Sequence, residues 1–227
     1  MPLTRDPQPR PERGVFLLLG MSGSGKGSVG AALLQRGKIA AHASMGVWLR
    51  EALIDPAALE SQLAPLQPAE FASPLEYLRH CVSHGLLIPD MWTQTVIDSR
   101  LEHAPAGLWL LDGYPRTIGA AQHLVIALER KAIALHGAVH LRISNGTATQ
   151  RLLARGRSDD AIPAILERLE FYRASVVPTL EWLAAHTVEV IEVSSEQRLE
   201  LVVGAVEHAL EGWHEKSADV NSALLEP

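Results

Sequence analysis

The stretch GMSGSGKGS, Gly20 to Ser28, follows the apolar run Val15 to Leu19 and precedes a helical pattern through Leu33 and Leu34. A buried strand that ends in a glycine-rich turn and opens into a helix gathers backbone N–H groups at one point, beside the positive end of the helix dipole. Anions bind at such a point. Gly23 and Gly25 admit positive φ and put no Cβ in the path of phosphate oxygens, and Ser24 and Gly27 fill the positions between and after them. Lys26 can reach the terminal phosphates, and Ser28 offers a hydroxyl to Mg²⁺. The loop alone specifies phosphate and leaves the reaction open.

The chain has 227 residues, 47% of them hydrophobic, enough for one substantial core. No apolar run approaches the ~20 residues that span a bilayer, and MPLTRDPQPRPERG lacks the apolar h-region of a signal peptide, so a cytoplasmic protein without a membrane partner is expected. Cys81 is the only cysteine, which excludes an internal disulfide and a cysteine-rich zinc knuckle. A net charge of -6 argues against a nucleic-acid surface. Positive charge is instead local: six arginines, at 142, 151, 155, 157, 168 and 173, fall in one stretch.

Residues 1–13 hold four prolines and no periodicity, and read as a disordered extension. Further apolar runs that suit buried parallel strands are Leu108 to Leu111, Ala138 to Ile143 and Val188 to Val193, with a weaker one at Ile39 to His42. Alternation with helical patterns predicts an α/β fold: a parallel five-stranded sheet with helices on both faces and ligands at the carboxyl ends of the strands. Residues 46–89 interrupt the alternation as a helical subdomain containing DPAALESQLAPLQPAEFASP, Asp55 to Pro74. A second interruption is a short loop, 155–160, between two helices. The second of these helices is expected to start near Asp159 or Asp160, to carry Ile165, Leu166, Leu169, Tyr172 and Val176 on one face, and to kink or end at Pro178. Ser194 and Gln197 suggest a capping box for a last helix, with Leu199, Val202, Val203, Val206, Leu210 and Trp213 as its apolar stripe; 214–227 read as a loose polar tail.

LLDGYPRTIG, Leu110 to Gly119, carries the second chemical signal. A buried strand delivers Asp112 to its carboxyl end, where an acid can orient the waters of a phosphate-bound Mg²⁺. Gly113 and Pro115 shape a tight turn that presents Arg116, whose planar guanidinium suits phosphate oxygens. HCVSH sets His80 and His84 one helical turn apart without an evident third ligand, so they read as surface histidines. His42, at a strand end, reads as structural.

GMSGSGKGS, HASMGVWLR (His42 to Arg50), GLLIPD (Gly85 to Asp90), LLDGYPRTI (Leu110 to Ile118), RLLARGRSDD (Arg151 to Asp160) and ILERLEFY (Ile165 to Tyr172) together resemble, in order, the signatures of adenylate kinases and related nucleoside monophosphate kinases. The resemblance implies a P-loop NTPase-type core spanning 14–213, with a monophosphate-binding arm at 46–89 and a very short lid at 155–160. It implies reversible transfer of the γ-phosphoryl of ATP·Mg²⁺ to a nucleoside monophosphate by a monomeric enzyme of nucleotide biosynthesis. Lys26 and the loop would hold the donor phosphates, Arg50 and Arg116 the acceptor phosphate. Arg151 matches the arginine that packs on the donor base, Arg155, Arg157 and Arg168 those around the moving phosphoryl, and Asp159 and Asp160 the acidic pair of the lid.

Phosphoryl transfer asks a protein mainly to align two anions and neutralise charge on the equatorial oxygens, so the arginine set suits the chemistry without a general base. The base-reading positions depart from the AMP pattern. Met45 stands where threonine is usual and Val47 where aspartate is. Ala120 occupies the place of the glutamine that reads adenine, leaving Gln122 as the nearest candidate. AMP is the leading acceptor on the resemblance; CMP, UMP or a broader set is the alternative, and a nucleotide-binding regulatory protein with impaired turnover a further one.

Overall fold

The computed structural model describes residues 13–54, 70–157, 159–186 and 188–223. Five parallel strands form one sheet in the order β2-β3-β1-β4-β5: β1 (Gly14–Gly20), β2 (Ala41–Ser44), β3 (Leu108–Asp112), β4 (Ala134–Arg142) and β5 (Val190–Ser194). Nine helices connect or flank them among the described residues: α1 (Lys26–Gln35), α2 (Met45–Ile54), α3 (Pro74–His84), α4 (Asp90–Leu101), α5 (Ile118–Arg130), α6 (Asn145–Arg155), α7 (Ile162–Phe171), α8 (Val177–Ala185) and α9 (Leu199–Ala223).

Central strand β1 shows why the fold forms. Val15 to Leu19 are all 0–1% exposed, because alternate residues feed two separate cores. Phe16 and Leu18 meet α1 and α9 through Val29, Leu33, Val203 and Val206; Val15, Leu17 and Leu19 face the larger core of α2 to α8. Adjacent strands β1 and β3 lead in opposite directions. The chain leaves β1 for β2 at one edge and leaves β3 for β4 on the far side, so a crevice opens at their carboxyl ends.

The expected strands are all present, with shifted ends. β2 runs to Ser44 rather than stopping at His42, since pairing sets Ser44 opposite Asp112. β4 starts at Ala134, four residues before its apolar run, because it pairs with Gly14 and Val15 through a bulge and His136 and Gly137 break the hydrophobic pattern. α7 starts at Ile162, with Pro163 in its first turn, and not at Asp159 or Asp160: the Asp160 carboxylate is occupied by two arginines and does not cap. Leu166 is 58% exposed, outside the buried face of Ile165, Leu169, Tyr172 and Val176.

Pro178 neither ends nor simply kinks this helix. A π turn, Tyr172–Val176, absorbs the missing N–H, Pro178 enters the first turn of α8, and the Thr179 hydroxyl donates to the Ser175 carbonyl at 2.7 Å. No capping box forms at Ser194, which ends β5; neighbouring Ser195 donates its hydroxyl to the Ser24 carbonyl at 2.9 Å and ties the sheet edge to the glycine loop. Of the last helix's stripe, Leu199 is 41% exposed and the other five residues are buried. The backbone of 214–223 continues α9, a stretch without proline or glycine. Most of Asp55 to Pro74, residues 1–12 and 224–227 lie outside the described residues. Among those described, no helix is long and apolar enough to cross a membrane.

Candidate active site

The glycine loop sits at the carboxyl end of β1. Gly23 (φ 86°) packs so closely on α6 that a Cβ would lie 2.7 Å from the Ala148 carbonyl oxygen, whereas Gly25 (φ 87°) has open space and needs glycine for its backbone alone. Gly25 also occupies the N-cap of α1, with no side-chain cap and no acid in the first turn. The first N–H groups of α1 are therefore directed to whatever anion the loop receives. Gly27 and Ser28 are exposed on that turn, and Ser24 is buried beneath it.

Lys26 folds back into its own loop, donating to the carbonyls of Gly20 (2.8 Å) and Met21 (3.0 Å). Burial pulls its pKa down to about 8 against the attraction of Asp112, with Arg116 and Arg155 adding to the fall. The ammonium is short of negative charge, a condition that an incoming phosphate corrects. Asp112, 6% exposed, ends β3 next to β1; its Oδ2 lies 3.4 Å from His42 Nε2, and α1 makes room for that imidazole with Gly30, whose Cβ would fall within 2.5 Å of the ring. His42 therefore does more than fill a strand end, because it fixes the orientation of the acid.

Behind Asp112 the turn contains a cis Tyr114–Pro115 peptide, and Arg116 Nε donates to the Gly113 carbonyl at 2.9 Å. Burial depresses the Arg116 pKa, as do Arg168 and Arg50, while Asp112 opposes. Arg50 is depressed by burial and then by Arg157 and Arg155. Repulsion between neighbours links Lys26, Arg50, Arg116, Arg155, Arg157 and Arg168, scattered over more than 140 positions in sequence, into one cluster of cations near Asp112.

Two aspartates hold part of that charge. Asp160, its side chain 1% exposed, accepts from Arg155 Nε (2.8 Å) and Nη2 (2.7 Å), from Arg168 Nη1 (3.1 Å) and from the Arg157 N–H (3.3 Å). Asp159 accepts from Arg168 Nη2 at 2.7 Å, and the same nitrogen donates to the Val82 carbonyl of α3 at 3.3 Å. Burial would raise the Asp160 pKa, but the Arg155 bonds, the Arg157 N–H and Arg168 outweigh it and hold the carboxyl below its ordinary range. The link between α6 and α7 is short, with Gly156 (φ 63°) as the C-cap of α6.

A cavity of about 20 Å³, room for about one water, lies under α2. Met45, Gly113 and Arg116 line it, joined by Leu49, Ile88, Asp90, Thr93 and Ala120. Gly85 to Asp90 carries no assigned chemical role in sequence, and the only signal for Thr93 is its position one turn past Asp90. Gln122 is exposed on α5, two positions and half a helical turn beyond Ala120, and does not line the cavity, so its expected base-reading place is not supported. Arg151 is half-exposed on α6, within electrostatic reach of Glu196 and one turn before Arg155. The His80 and His84 rings lie 4.2 Å apart, tilted by 33°, with His84 Nδ1 on the His80 carbonyl.

Among the described residues, no group of three or more His, Cys, Asp or Glu could hold a metal ion. A carboxylate at Asp112 and an exposed hydroxyl at Ser28 are hard oxygen donors that fit Mg²⁺ carried in with phosphates.

The family described as adenylate kinase matches residues 69–188, which include the Asp112 to Arg116 turn and the arginines of α6 and α7. The glycine loop lies outside that match and stands on its geometry. The chain is 32% identical over 167 residues to the adenylate kinase of Parasynechococcus marenigrum (strain WH8102), covering 74% of this chain and 82% of the relative. It is 31% identical over 170 residues to adenylate kinase 1 of Nostoc sp. (74% and 83%), and 32% identical over 168 residues to the adenylate kinase of Corynebacterium urealyticum (74% and 84%). The fold, the loop and the clustered arginines agree with these likenesses, and the chain belongs to the adenylate kinase family of phosphotransferases.

Proposed function

We propose that this chain transfers the γ-phosphoryl of ATP·Mg²⁺ reversibly to a nucleoside monophosphate, AMP first, as a cytoplasmic monomer. The observation that carries the reading is the convergence of Lys26 and five arginines on the volume beside Asp112. Lys26 and the α1 N–H groups hold the donor phosphates, Arg50 and Arg116 the acceptor phosphate, and Arg155, Arg157 and Arg168 the equatorial oxygens between them. Mg²⁺, taken by Ser28 and by waters on Asp112, supplies charge neutralisation at the donor phosphates. Asp159 and Asp160 occupy the arginines before substrates arrive, and substrates displace them. The acceptor base enters the space under α2, which must widen from about 20 Å³, so residues 46–89 act as an arm that moves outward and the turn 155–160 as a minimal lid.

A second reading, transfer to CMP or UMP, is favoured by one feature: Met45, 2% exposed, and Ala120 offer the base no side-chain hydrogen bond. Turnover of an acceptor panel with ATP·Mg²⁺ decides between them. AMP is expected to lead; negligible AMP turnover beside robust CMP or UMP turnover removes the first reading. A mimic joining two adenosines through five phosphates is expected to protect the protein against heating if both pockets take adenine.

A further inference from the structure

His140 lies on β4 facing the larger core, between Ala138 of that core and the opposite-facing Val139 and Leu141. It stands opposite Leu19, the residue before the glycine loop, and opposite Glu192 of β5, and is 7% exposed. Both ring nitrogens are engaged. Nδ1 is 3.2 Å from Glu192 Oε1, and Nε2 is 2.5 Å from the Tyr172 hydroxyl; Glu192 also accepts from Arg142 at 2.9 Å. A carboxylate only accepts, so Nδ1 carries the hydrogen and Nε2 accepts from the tyrosine. No step of phosphoryl transfer uses this chain of groups.

Tyr172 opens the π turn, and its N–H donates to the carbonyl of Arg168 one turn earlier. π turns within helices recur at functional sites because they re-aim the side chains that precede them. Arg168 is thus held twice, at its guanidinium by Asp159 and Asp160 and at its backbone by the residue that His140 anchors. When substrates displace the aspartates, the backbone hold remains, beside the bond from Nη2 to the Val82 carbonyl.

We propose that Glu192, His140 and Tyr172 form a positioning chain that fixes the root of Arg168 for phosphoryl transfer. The inference rests on the role given to Arg168 above. The groups facing the imidazole are Glu192 on β5, Arg142 on its own strand, Tyr172 in the π turn and Lys26 in the loop. Burial lowers the His140 pKa against the pull of Glu192, so the ring is neutral at pH 7. Protonating Nε2 turns it into a donor and removes the acceptor of the tyrosine hydrogen.

Steady-state kinetics of Tyr172→Phe, His140→Phe, His140→Gln and Arg168→Ala, with the best acceptor and across pH, test this. Tyr172→Phe is expected to lower kcat about 10-fold, since small misplacements of an aligned group are costly, with both KM values within about twofold. His140→Phe should match it, and the double variant should be no worse than either alone. His140→Gln can still accept from Tyr172 and should recover most of kcat while losing the part of the acid limb that His140 causes. A wild-type kcat and pH profile in Tyr172→Phe, an effect confined to KM, or additive losses in the double variant overturn the proposal. If His140→Phe does not fold, Tyr172→Phe alone decides. No turnover in the wild type, or an unimpaired Arg168→Ala, instead defeats the reading on which it rests.

Discussion

Replacing Asp160 by asparagine tests the electrostatics of the free site. The carboxylate takes four hydrogen bonds on two oxygens with its side chain 1% exposed. Asparagine keeps one oxygen and turns an N–H toward two donors that it cannot satisfy, so two of the four bonds are lost and the charge with them. Hydrogen bonds to charged groups contribute about 1.5–3 kcal/mol each, and Arg155, 35% exposed, recovers some of its loss in water. The low end applies, giving about 2–3 kcal/mol in all, or a melting point lower by about 4–12 °C for a chain of this length. The pH dependence has a definite sign. Because the folded-state pKa is depressed, the stabilisation is complete above the ordinary aspartate value near pH ~4 and is lost as pH falls through the lower folded value. Urea unfolding of both proteins at neutral and acid pH should therefore show a gap that closes in acid, and pyrophosphate, supplying the missing negative charge to the arginines, should narrow it at pH 7. A difference under ~0.5 kcal/mol at pH 7, or one that is the same at both pH values, refutes the reasoning.

Lys26→Ala and Arg116→Ala should each lower turnover at least ~10²-fold with little change in melting point, and near-normal rates in either would undo its assignment. Since burial holds Lys26 at about 8, phosphate binding should raise that value and take up a proton above pH 8; calorimetry of donor binding in buffers of different ionisation enthalpy measures it, and no uptake, or release, contradicts the account. Gly85→Ala should cost about 2–3 kcal/mol in urea unfolding, because Gly85 is the left-handed C-cap of α3 (φ 73°) and a Cβ would lie 2.5 Å from the Ala164 carbonyl oxygen. Unchanged stability would mean that α3 does not rest on α7 at this point.

The sheet was legible because its central strands are buried on both faces, and an uninterrupted apolar run such as Val15 to Leu19 has few other uses. Strand ends were less legible, since they follow from pairing. Ser44 belongs to β2 only because Asp112 lies opposite, and His136 and Gly137 belong to β4 only because β4 bulges at His136 and stays paired with β1. The missed helix starts have a related cause. Asp160 and Ser194 are good caps by type, yet Asp160 is engaged by arginines and Ser194 by a strand, so tertiary partners overrode local preference.

The site divides along the same line. Residues whose role depends on a continuous segment, such as Gly23, Lys26, Asp112 and Arg116, could be placed from sequence because strand, turn and side chain arrive together. Groups that act through a partner far along the chain could not. Val82 and Arg168, Ser24 and Ser195, and His140 and Tyr172 become pairs only when α3, β5 and the π turn are set against one another. Gln122 lies off the cavity for a geometric reason: two residues along a helix turn a side chain through about 200°, so a glutamine displaced by two from the cavity-lining Ala120 is exposed. The glycine loop is one contiguous segment, while the cavity under α2 is assembled from α2, the start of α4 and the start of α5. On the proposed reading, substitutions at Met45 or Ala120 alter the choice of acceptor base without disturbing the loop, and this asymmetry is why the loop was readable before the cavity.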